Sequence, residues 1–247
     1  MTRQEEIRQL QNILNSSDNI VFFGGAGLST ESGIPDFRST DGLYHQQYRY
    51  PPEVILSHSF YEQQPQEFFR FYREKMLALD AKPNPAHYKL AELEQAGRLK
   101  AVVTQNIDGL HQAAGSRVVW ELHGSVHRNH CQRCGHQVDA WFIQNSTGVP
   151  TCPKCGGPVK PDVVLYEESL DGYVMQQAME AIARADVLVI GGTSLVVYPA
   201  AGMVEYFRGS RLVLINRDID VYRRRVDLAI QGSIGEVLGQ VEVRALI

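Results

Sequence analysis

The chain has 247 residues, a net charge of −4, 44% apolar residues and 21% charged residues, which is ordinary for a soluble globular protein. This balance does not point to nucleic acid as a specific partner. Residues 1–20 lack the apolar core of a secretory signal, and no run approaches the roughly 20 apolar residues of a membrane helix. We therefore expect a cytoplasmic protein with no membrane or specific nucleic-acid partner, and the sequence leaves its oligomeric state open.

The chain opens with a predicted helix, a buried strand and a glycine-rich loop. Thr2 and Glu5 have the spacing of a capping box ahead of a helix over about residues 3–16. The apolar run at residues 20–23 predicts a buried strand. It leads into the motif Gly24-Gly25-Ala26-Gly27-Leu28-Ser29-Thr30-Glu31-Ser32-Gly33-Ile34-Pro35-Asp36-Phe37-Arg38-Ser39. Glycines there let the backbone approach a ligand closely, and its N–H groups favour an anion such as a pyrophosphate.

The next segment reads as a loop followed by two helices. Residues 40–64 show no sustained period and predict a long loop with short helical pieces, of the kind that often forms a lid. Pro65 begins a predicted helix. Its apolar face consists of Phe68, Phe69, Tyr72, Met76 and Leu79. A second helix is predicted to begin at Asn84 and Pro85 and to stop at Gly97.

Short apolar strands alternate with helices through the rest of the chain. We predict a helix over residues 170–184 and strands over residues 100–104, 118–122, 162–166, 186–190 and 212–215. This alternation predicts an α/β fold with a doubly wound parallel sheet, in which ligands bind beyond the carboxyl ends of the strands. Together with the strand at residues 20–23, six predicted strands end in polar or glycine-rich residues. One ligand-binding cleft shared by these strand ends would require such residues.

The four cysteines fall into two close pairs that predict a metal site. Two residues separate the members of each pair, and 17 residues separate the pairs: Cys131, Cys134, Cys152 and Cys155. Four thiolates complete a tetrahedral Zn²⁺ site and leave no position for water, so the predicted zinc is structural. Three nearby histidines are interpreted as surface or packing residues: His127, His130 and His136.

A second polar group is predicted at the ends of two strands. Asn106, Ile107 and Asp108 place an amide, an apolar side chain and a carboxylate after the strand at 100–104. His123 follows 15 residues past Asp108, at the next strand end, and histidine is suited to proton transfer near pH 7. His111 is the competing candidate base, but it falls in a predicted helical turn and is interpreted as a packing residue.

Taken together, these motifs resemble the sirtuins, the NAD-dependent protein deacylases, over essentially the whole chain. The resemblance rests on the glycine motif, the cysteines, the stretch at residues 104–115, His123-Gly124, Gly192-Thr193-Ser194 and Asn216. It implies a Rossmann-like NAD-binding domain over residues 1–126 and 161–247, with a lid or helical part at about residues 40–80. It also implies a small zinc domain inserted at residues 127–160 and an acyl-lysine protein or peptide bound in the cleft between the two.

The resemblance also implies the site residues. The positions matched to NAD binding are Ala26, Thr30, Asp36, Phe37, Arg38, Gln105, Asn106, Ile107, Asp108, His123, Thr193, Ser194, Asn216 and Ile234. Two of these are matched to catalysis: His123, the general base on a ribose hydroxyl, and Asn106, which holds the ribose region. Residues 166–168 and 196–199 would flank the substrate peptide as an added strand. The family commonly has Phe-Gly-Glu where this chain has Tyr166-Glu167-Glu168, which leaves the peptide contacts of that loop open.

The implied reaction consumes NAD, transfers the acetyl group of acetyl-lysine to ADP-ribose and releases nicotinamide. An ADP-ribosyltransferase on the same scaffold and a zinc-dependent binding module without activity are alternatives. A nucleic-acid-binding zinc ribbon has too few and too scattered basic residues: Arg128, Arg133, Lys154 and Lys160. An NAD-dependent dehydrogenase is disfavoured because the first loop lacks the G-x-G-x-x-G spacing and a matching acidic residue about 20 positions on.

The resemblance further predicts which acyl group is removed. Sirtuins that remove negatively charged acyl groups carry a Tyr and an Arg three residues apart on the helix that lines the acyl channel, and our alignment puts Phe69 and Tyr72 there. Neither side chain neutralises a carboxylate, so we expect a preference for neutral groups such as acetyl. A one-residue error in that alignment would instead bring Arg70 or Arg73 close to the channel.

Overall fold

The computed structural model describes residues 1–37, 42, 48–220 and 226–244. The first helix, α1 (Arg3–Asn15), begins with the predicted capping box. The Thr2 hydroxyl accepts a hydrogen bond from the Glu5 N–H, and the Glu5 carboxylate accepts one from the Thr2 N–H. The buried face of α1 consists of Ile7, Leu10, Ile13 and Leu14. The capping box therefore sets where the helix starts, and the helical period of its apolar residues sets which face packs inward.

A six-stranded parallel sheet forms the centre of the fold. Its strands are β1 (Ile20–Gly24), β2 (Leu99–Thr104), β3 (Val119–Glu121), β7 (Val187–Gly191), β8 (Arg211–Asn216) and β9 (Leu228–Gln231). They lie in the order β3-β2-β1-β7-β8-β9, and each neighbouring pair is parallel. The strand order reverses between β1 and β7, where doubly wound sheets bind their ligands. The predicted Rossmann-like sheet is confirmed.

Helices cover both faces of this sheet. They are α5 (Pro85–Gln95), α6 (Leu110–Ala113), α8 (Gly172–Arg184), α9 (Ile234–Gly239) and the 3₁₀ helices Ala26–Ser32 and Ala200–Tyr206. Because strand side chains alternate, Ile20 and Phe22 of β1 pack with residues of α1, α5 and α9. Val21 and Phe23 pack on the opposite face with residues of α8 and of the second 3₁₀ helix. No helix within the described ranges is long and apolar enough to cross a bilayer.

A smaller antiparallel sheet carries the cysteines. Its strands are β4 (Gly124–Cys131), β5 (Gln137–Val138) and β6 (Val159–Val163), and the helices near it are α2 (Pro52–Ile55), α3 (His58–Gln63), α4 (Pro65–Phe71) and α7 (Ala140–Asn145). One core cluster unites Ile55 and Phe68 from these helices with Val126 and Val159 of the small sheet. The predicted limits of the zinc domain, residues 127–160, and of the lid, about residues 40–80, stay predictions.

The prediction of a strand over residues 162–166 is wrong. The strand found there, β6, ends at Val163 and pairs with β4 in the small sheet instead of joining the parallel sheet. Cys131 at the end of β4 pairs with Val159 at the start of β6, so the pairing between the two strands begins at the first cysteine pair. The sixth strand of the parallel sheet is β9, which was not predicted from the sequence.

The helix that begins at Pro65 is shorter than predicted. After α4 the chain continues as a π-helical turn, Tyr72–Met76, and Leu79 lies beyond it. The Arg73 side chain attaches this turn to the end of α7: its Nε donates to the Ile143 carbonyl at 2.9 Å, and its Nη2 donates to the Ser146 hydroxyl at 2.7 Å.

Candidate active site

The parallel strands bring the predicted site residues to one edge of the sheet. β1 ends at Gly24 and β2 ends at Thr104, and each is followed at once by predicted site residues. His123 comes two residues after β3, Thr193 comes two residues after β7, and Asn216 is the last residue of β8. Because parallel strands all end on the same side, five chain segments meet at this edge.

Two glycine turns touch each other backbone to backbone at this edge. The Gly27 N–H donates to the Gly192 carbonyl at 2.8 Å. A Cβ atom on Gly27 would lie 2.8 Å from the Gly192 oxygen, and a Cβ atom on Gly192 would lie 2.4 Å from the Leu28 nitrogen. Side chains are therefore excluded at Gly27 and Gly192, and the two turns meet next to the start of the 3₁₀ helix at Ala26.

A buried polar cluster joins the glycine loop to the loop after β2. The Ser29 hydroxyl donates to the Asp108 carboxylate (2.6 Å, Oγ to Oδ2) and accepts from the Asn106 amide (3.0 Å, from Nδ2). The Leu110 N–H also donates to Asp108, at 2.9 Å. Burial raises the pKa of Asp108 above its usual value, and the hydrogen bonds from Ser29 and Leu110 oppose that rise. The cluster holds an amide and a carboxyl group in fixed orientations.

The imidazole of His123 is held in one tautomer. Its Nδ1 lies 3.0 Å from the Gln105 carbonyl oxygen. A carbonyl only accepts hydrogen bonds, so Nδ1 carries the proton of the neutral ring and Nε2 is left as a proton acceptor. Burial lowers the pKa of His123 below its ordinary value, and the hydrogen bond to Gln105 opposes this only in part. The ring is therefore neutral near pH 7 and suited to act as a general base.

A chain of side-chain hydrogen bonds crosses the sheet edge toward β8. The Gln105 amide donates to the Thr193 hydroxyl at 2.9 Å, and the Asn216 amide donates to the Thr193 carbonyl at 3.1 Å. These bonds connect the residues after β2, β7 and β8. The predicted NAD-binding residues Thr193 and Asn216 are thus linked, through Thr193, to the loop that carries Asn106 and Asp108.

The other predicted residues surround this centre. Those that are partly buried are Ala26, Thr30, Asp36, Phe37, Ile107 and Ser194. Phe37 and Ile107 pack against the core of the small sheet, and the Thr30 hydroxyl accepts from Arg217 at 3.2 Å. Ile234 is buried, and its Cδ1 atom packs against Gly191 and Gly192. Arg38 lies outside the described residues. The roles assigned to these residues stay predictions.

One residue of this cluster received no role from the sequence. Ser29 stands inside the glycine motif, and its hydroxyl bridges Asn106 and Asp108. His127 is exposed, in agreement with its interpretation as a surface or packing residue, and its Nε2 lies 2.9 Å from the Asp108 carbonyl oxygen. No local pattern predicts a contact between residues 19 positions apart. The contact between His127 and Asp108 forms because β4 runs beside the loop after β2.

His111, the competing candidate base, is a packing residue as predicted. Its ring centroid lies 4.9 Å from that of His87 and 6.3 Å from that of Phe22. Among the described residues neither of its ring nitrogens has a hydrogen-bond partner. Burial lowers the pKa of His111 to about 3, so the ring is neutral and enclosed.

The four cysteines form one compact cluster. Their sulfur atoms all lie within 4.8 Å of one another, with 3.5 Å between Cys131 and Cys155 and 3.7 Å between Cys134 and Cys152. Tetrahedral zinc with bonds of about 2.3 Å places its sulfur ligands roughly 3.8 Å apart. The Arg133 N–H points at the Cys131 sulfur from 3.4 Å, as expected at a knuckle that stabilises a thiolate. The cluster fits a structural zinc ion, as the spacing predicted.

Backbone strain occurs within one of the segments predicted to flank a peptide and immediately before the other. Within the described part of the chain, the non-glycine residues with positive φ are Glu167 (76°) and Leu195 (52°). Tyr166, Val196 and Tyr198 beside them expose large apolar side chains. Strained backbone tends to occur at binding sites, and exposed apolar side chains there offer a docking surface.

Comparison with known proteins identifies the family. The Sir2 family matches residues 25–199. NAD-dependent protein deacetylases from Clostridium acetobutylicum and Staphylococcus aureus strain Mu50 are 58% and 40% identical to this chain, over 96% and 95% of it and 98% and 97% of their own lengths. A solved structure described as "Sir2-p53 peptide-NAD+" superposes with a TM-score of 0.80 at 37% identity, covering 94% of this chain and 95% of that one. One described as "Structural Basis for the Mechanism and Regulation of Sir2 Enzymes" reaches a TM-score of 0.84 at 41% identity, with 96% of both chains covered. These matches extend over nearly the whole chain and agree with the parallel sheet, the paired glycine turns and the four-cysteine cluster, so the chain belongs to the Sir2 family.

Proposed function

We propose that this protein is an NAD-dependent protein lysine deacetylase, which transfers the acetyl group of acetyl-lysine to ADP-ribose and releases nicotinamide. The observation that carries the proposal is the orientation of His123, whose Nδ1 is occupied by the Gln105 carbonyl and whose Nε2 is an available base. The relatives at 58% identity are named NAD-dependent protein deacetylases. One related structure is described as Sir2 bound to acetylated peptide.

The residues at the sheet edge fit NAD. The glycine turns exclude side chains where a pyrophosphate would approach. Thr193 and Asn216, together with Thr30, offer hydroxyl and amide groups on the β8 side for the adenosine half. Asn106 and Asp108 offer an amide and a carboxyl group on the opposite side for the ribose and the nicotinamide carboxamide.

The chemistry expected of the protein is positioning and proton transfer. NAD supplies a reactive sugar carbon when its nicotinamide departs. Asp108, held by Ser29 and the Leu110 N–H, accepts from the departing carboxamide, and the Phe37 ring excludes water from the exposed sugar face. His123 takes a proton from a ribose hydroxyl through Nε2, a role that contributes about 10²- to 10⁴-fold to such reactions.

The peptide is proposed to bind along residues 166–168 and 196–199 as an added strand. Supporting this are the exposed side chains of Tyr166, Val196 and Tyr198 and the positive φ angles of the two segments. The first segment lies near the candidate base, because the N–H of Val164, two residues before this segment, donates to the His123 carbonyl at 3.0 Å. An acyl-lysine bound there would lie close to His123.

The acyl pocket is proposed to favour neutral groups. Phe69 and Tyr72, the residues aligned to the channel, are both fully buried and uncharged at neutral pH. Burial raises the pKa of the Tyr72 hydroxyl far above its ordinary value, so this side chain stays neutral. Arg73 is bound to the Ile143 carbonyl and the Ser146 hydroxyl, and Arg70 pairs with Glu67 on the exposed side of α4. Both guanidinium groups already have partners other than a substrate carboxylate.

The decisive experiment is incubation with NAD and an acetyl-lysine peptide, followed by mass analysis of the products. A deacetylase yields free lysine peptide, nicotinamide and acetyl-ADP-ribose in equal amounts. A peptide that gains ADP-ribose would instead support the ADP-ribosyltransferase, and formation of reduced NAD would support the dehydrogenase. His123→Ala should lower turnover by about 10²- to 10⁴-fold while leaving the fold and NAD binding largely intact. Near-normal turnover by the folded variant would refute the role of His123.

A further inference from the structure

Glu167 adopts a backbone conformation that ordinarily favours glycine. Its φ of 76° lies in the left-handed region, where a side chain clashes with its own backbone. The sirtuin resemblance places a glycine at this position, and this chain has a glutamate instead. Such strain persists only when the surrounding contacts determine it. The contacts of the Glu167 side chain therefore indicate its role.

The Glu167 carboxylate is bound to the start of α3. Its Oε2 accepts from the Ser59 N–H at 2.9 Å and from the Ser59 hydroxyl at 2.6 Å. The backbone of the preceding residue is paired with the same segment, because the Tyr166 N–H donates to the Leu56 carbonyl and the His58 N–H donates to the Tyr166 carbonyl, both at 3.0 Å. Side chain and backbone thus attach residues 166–167 to the beginning of α3.

Glu168 attaches the same loop at a second point. Its carboxylate lies 2.8 Å from Nδ1 of His58 and 3.1 Å from Nζ of Lys160, and it accepts from the Leu165 N–H at 2.9 Å. The two consecutive carboxylates therefore bind different partners, Glu167 at Ser59 and Glu168 between His58 and Lys160. The left-handed turn at Glu167 accompanies this divergence of two adjacent side chains.

We propose that Glu167 is a positioning residue for the peptide substrate: by binding Ser59 it fixes residues 165–168 against α3 and sets the edge along which an acyl-lysine peptide pairs. This inference rests on the proposed deacetylase function, since it assigns this edge to the peptide. The loop begins next to the candidate base, because the N–H of Val164, just before the loop, donates a hydrogen bond to the His123 carbonyl. A displacement of residues 165–168 therefore changes how the peptide is presented, while the hydrogen bonds that hold Asn106, Asp108 and Thr193 at the sheet edge involve other segments.

Four variants separate positioning from stability. Glu167→Gly removes the carboxylate but also removes the strain, because glycine adopts a positive φ at no steric cost. Its melting temperature should therefore be no lower than that of the wild type. Its KM for an acetylated peptide should rise about fivefold, because both hydrogen bonds to Ser59 are lost and the loop is held less firmly, with kcat and the KM for NAD unchanged. Glu167→Gln retains an oxygen acceptor for Ser59 and should restore most of the peptide affinity. Ser59→Ala should fall in between, and Glu53→Gln, which changes an exposed carboxylate on α2, is the matched control.

Hydrogen exchange measures the attachment independently of catalysis. The amides of Ser59 and of residues 165–168 should exchange faster in Glu167→Gly than in the wild type or in Glu53→Gln. An unchanged peptide KM in Glu167→Gly, or a parallel loss in kcat and NAD affinity, would overturn the proposal. Absence of deacetylation by the wild type would overturn the proposed function and with it the peptide role. Unaltered exchange in Glu167→Gly would show instead that Glu167 does not hold the loop.

Discussion

Acid should destabilise this protein through the buried pair His87 and His111, and His111→Leu should remove part of that effect. Both rings are almost fully buried, and burial lowers their pKa values to about 4 and about 3. In the unfolded chain the same groups titrate near the ordinary value of about 6.5. Between these values the unfolded state binds more protons than the folded state, so the free energy of unfolding falls as the pH falls below about 6.5.

The size of the effect follows from the unfolded-state pKa. At about pH 5 a histidine with a pKa of about 6.5 favours the unfolded chain by roughly 2 kcal/mol, as long as the folded ring stays neutral. The pair therefore costs about 4 kcal/mol between about pH 8 and about pH 5, a large share of the 5–15 kcal/mol typical of a domain. Neither His111 ring nitrogen has a hydrogen-bond partner among the residues described. His111→Leu therefore loses no hydrogen bond at about pH 8 and should recover about 2 kcal/mol at about pH 5.

The measurement is urea unfolding of the wild type and His111→Leu at several pH values between about 5 and 8. Leu90→Met, a conservative change in the buried face of α5, is the control and should shift stability equally at every pH. Effects common to all three proteins, such as protonation of the cysteine thiolates, cancel in the comparison. Curves of stability against pH that run parallel for the wild type and His111→Leu would refute the reasoning.

Three further predictions follow from the sites. Cys152→Ser leaves three thiolates, so the small sheet should lose order, the protein should lose activity, and the metal content should fall below one zinc per chain. A metal-free wild type with full activity and unchanged unfolding would contradict this. On one peptide, kcat/KM should be higher for acetyl-lysine than for succinyl-lysine, and if succinyl is preferred, Arg73→Ala will show whether the alignment of α4 was the error. Because burial lowers the pKa of His123, kcat/KM should rise with pH through an apparent pKa below 6.5 and then stay level, and an apparent pKa above 6.5 would argue against His123 as the base.

Features set by short stretches of sequence were predictable. The capping box of α1 depends on Thr2 and Glu5, three residues apart. The zinc cluster depends on two C-x₂-C pairs, whose tight turns aim both thiolates of each pair at one point. The parallel sheet follows from apolar runs that alternate with helices, since strands connected in this way run in the same direction. In each case the physical cause acts over a few residues, or through a repeated pattern that is visible in the sequence.

Features that depend on contacts between distant segments were decided by the tertiary structure. Nothing local indicates that Ser29 bridges Asn106 and Asp108, or that His127 reaches the Asp108 carbonyl, because these contacts arise only when strand ends meet at one edge. The pairing of β6 with β4 was misread for the same reason: an apolar segment shows that it will be buried but not which strand it will pair with. Glu167 is the clearest example, since its left-handed backbone and the hydrogen bond between its carboxylate and Ser59, 108 residues earlier in the chain, appear only in the folded structure.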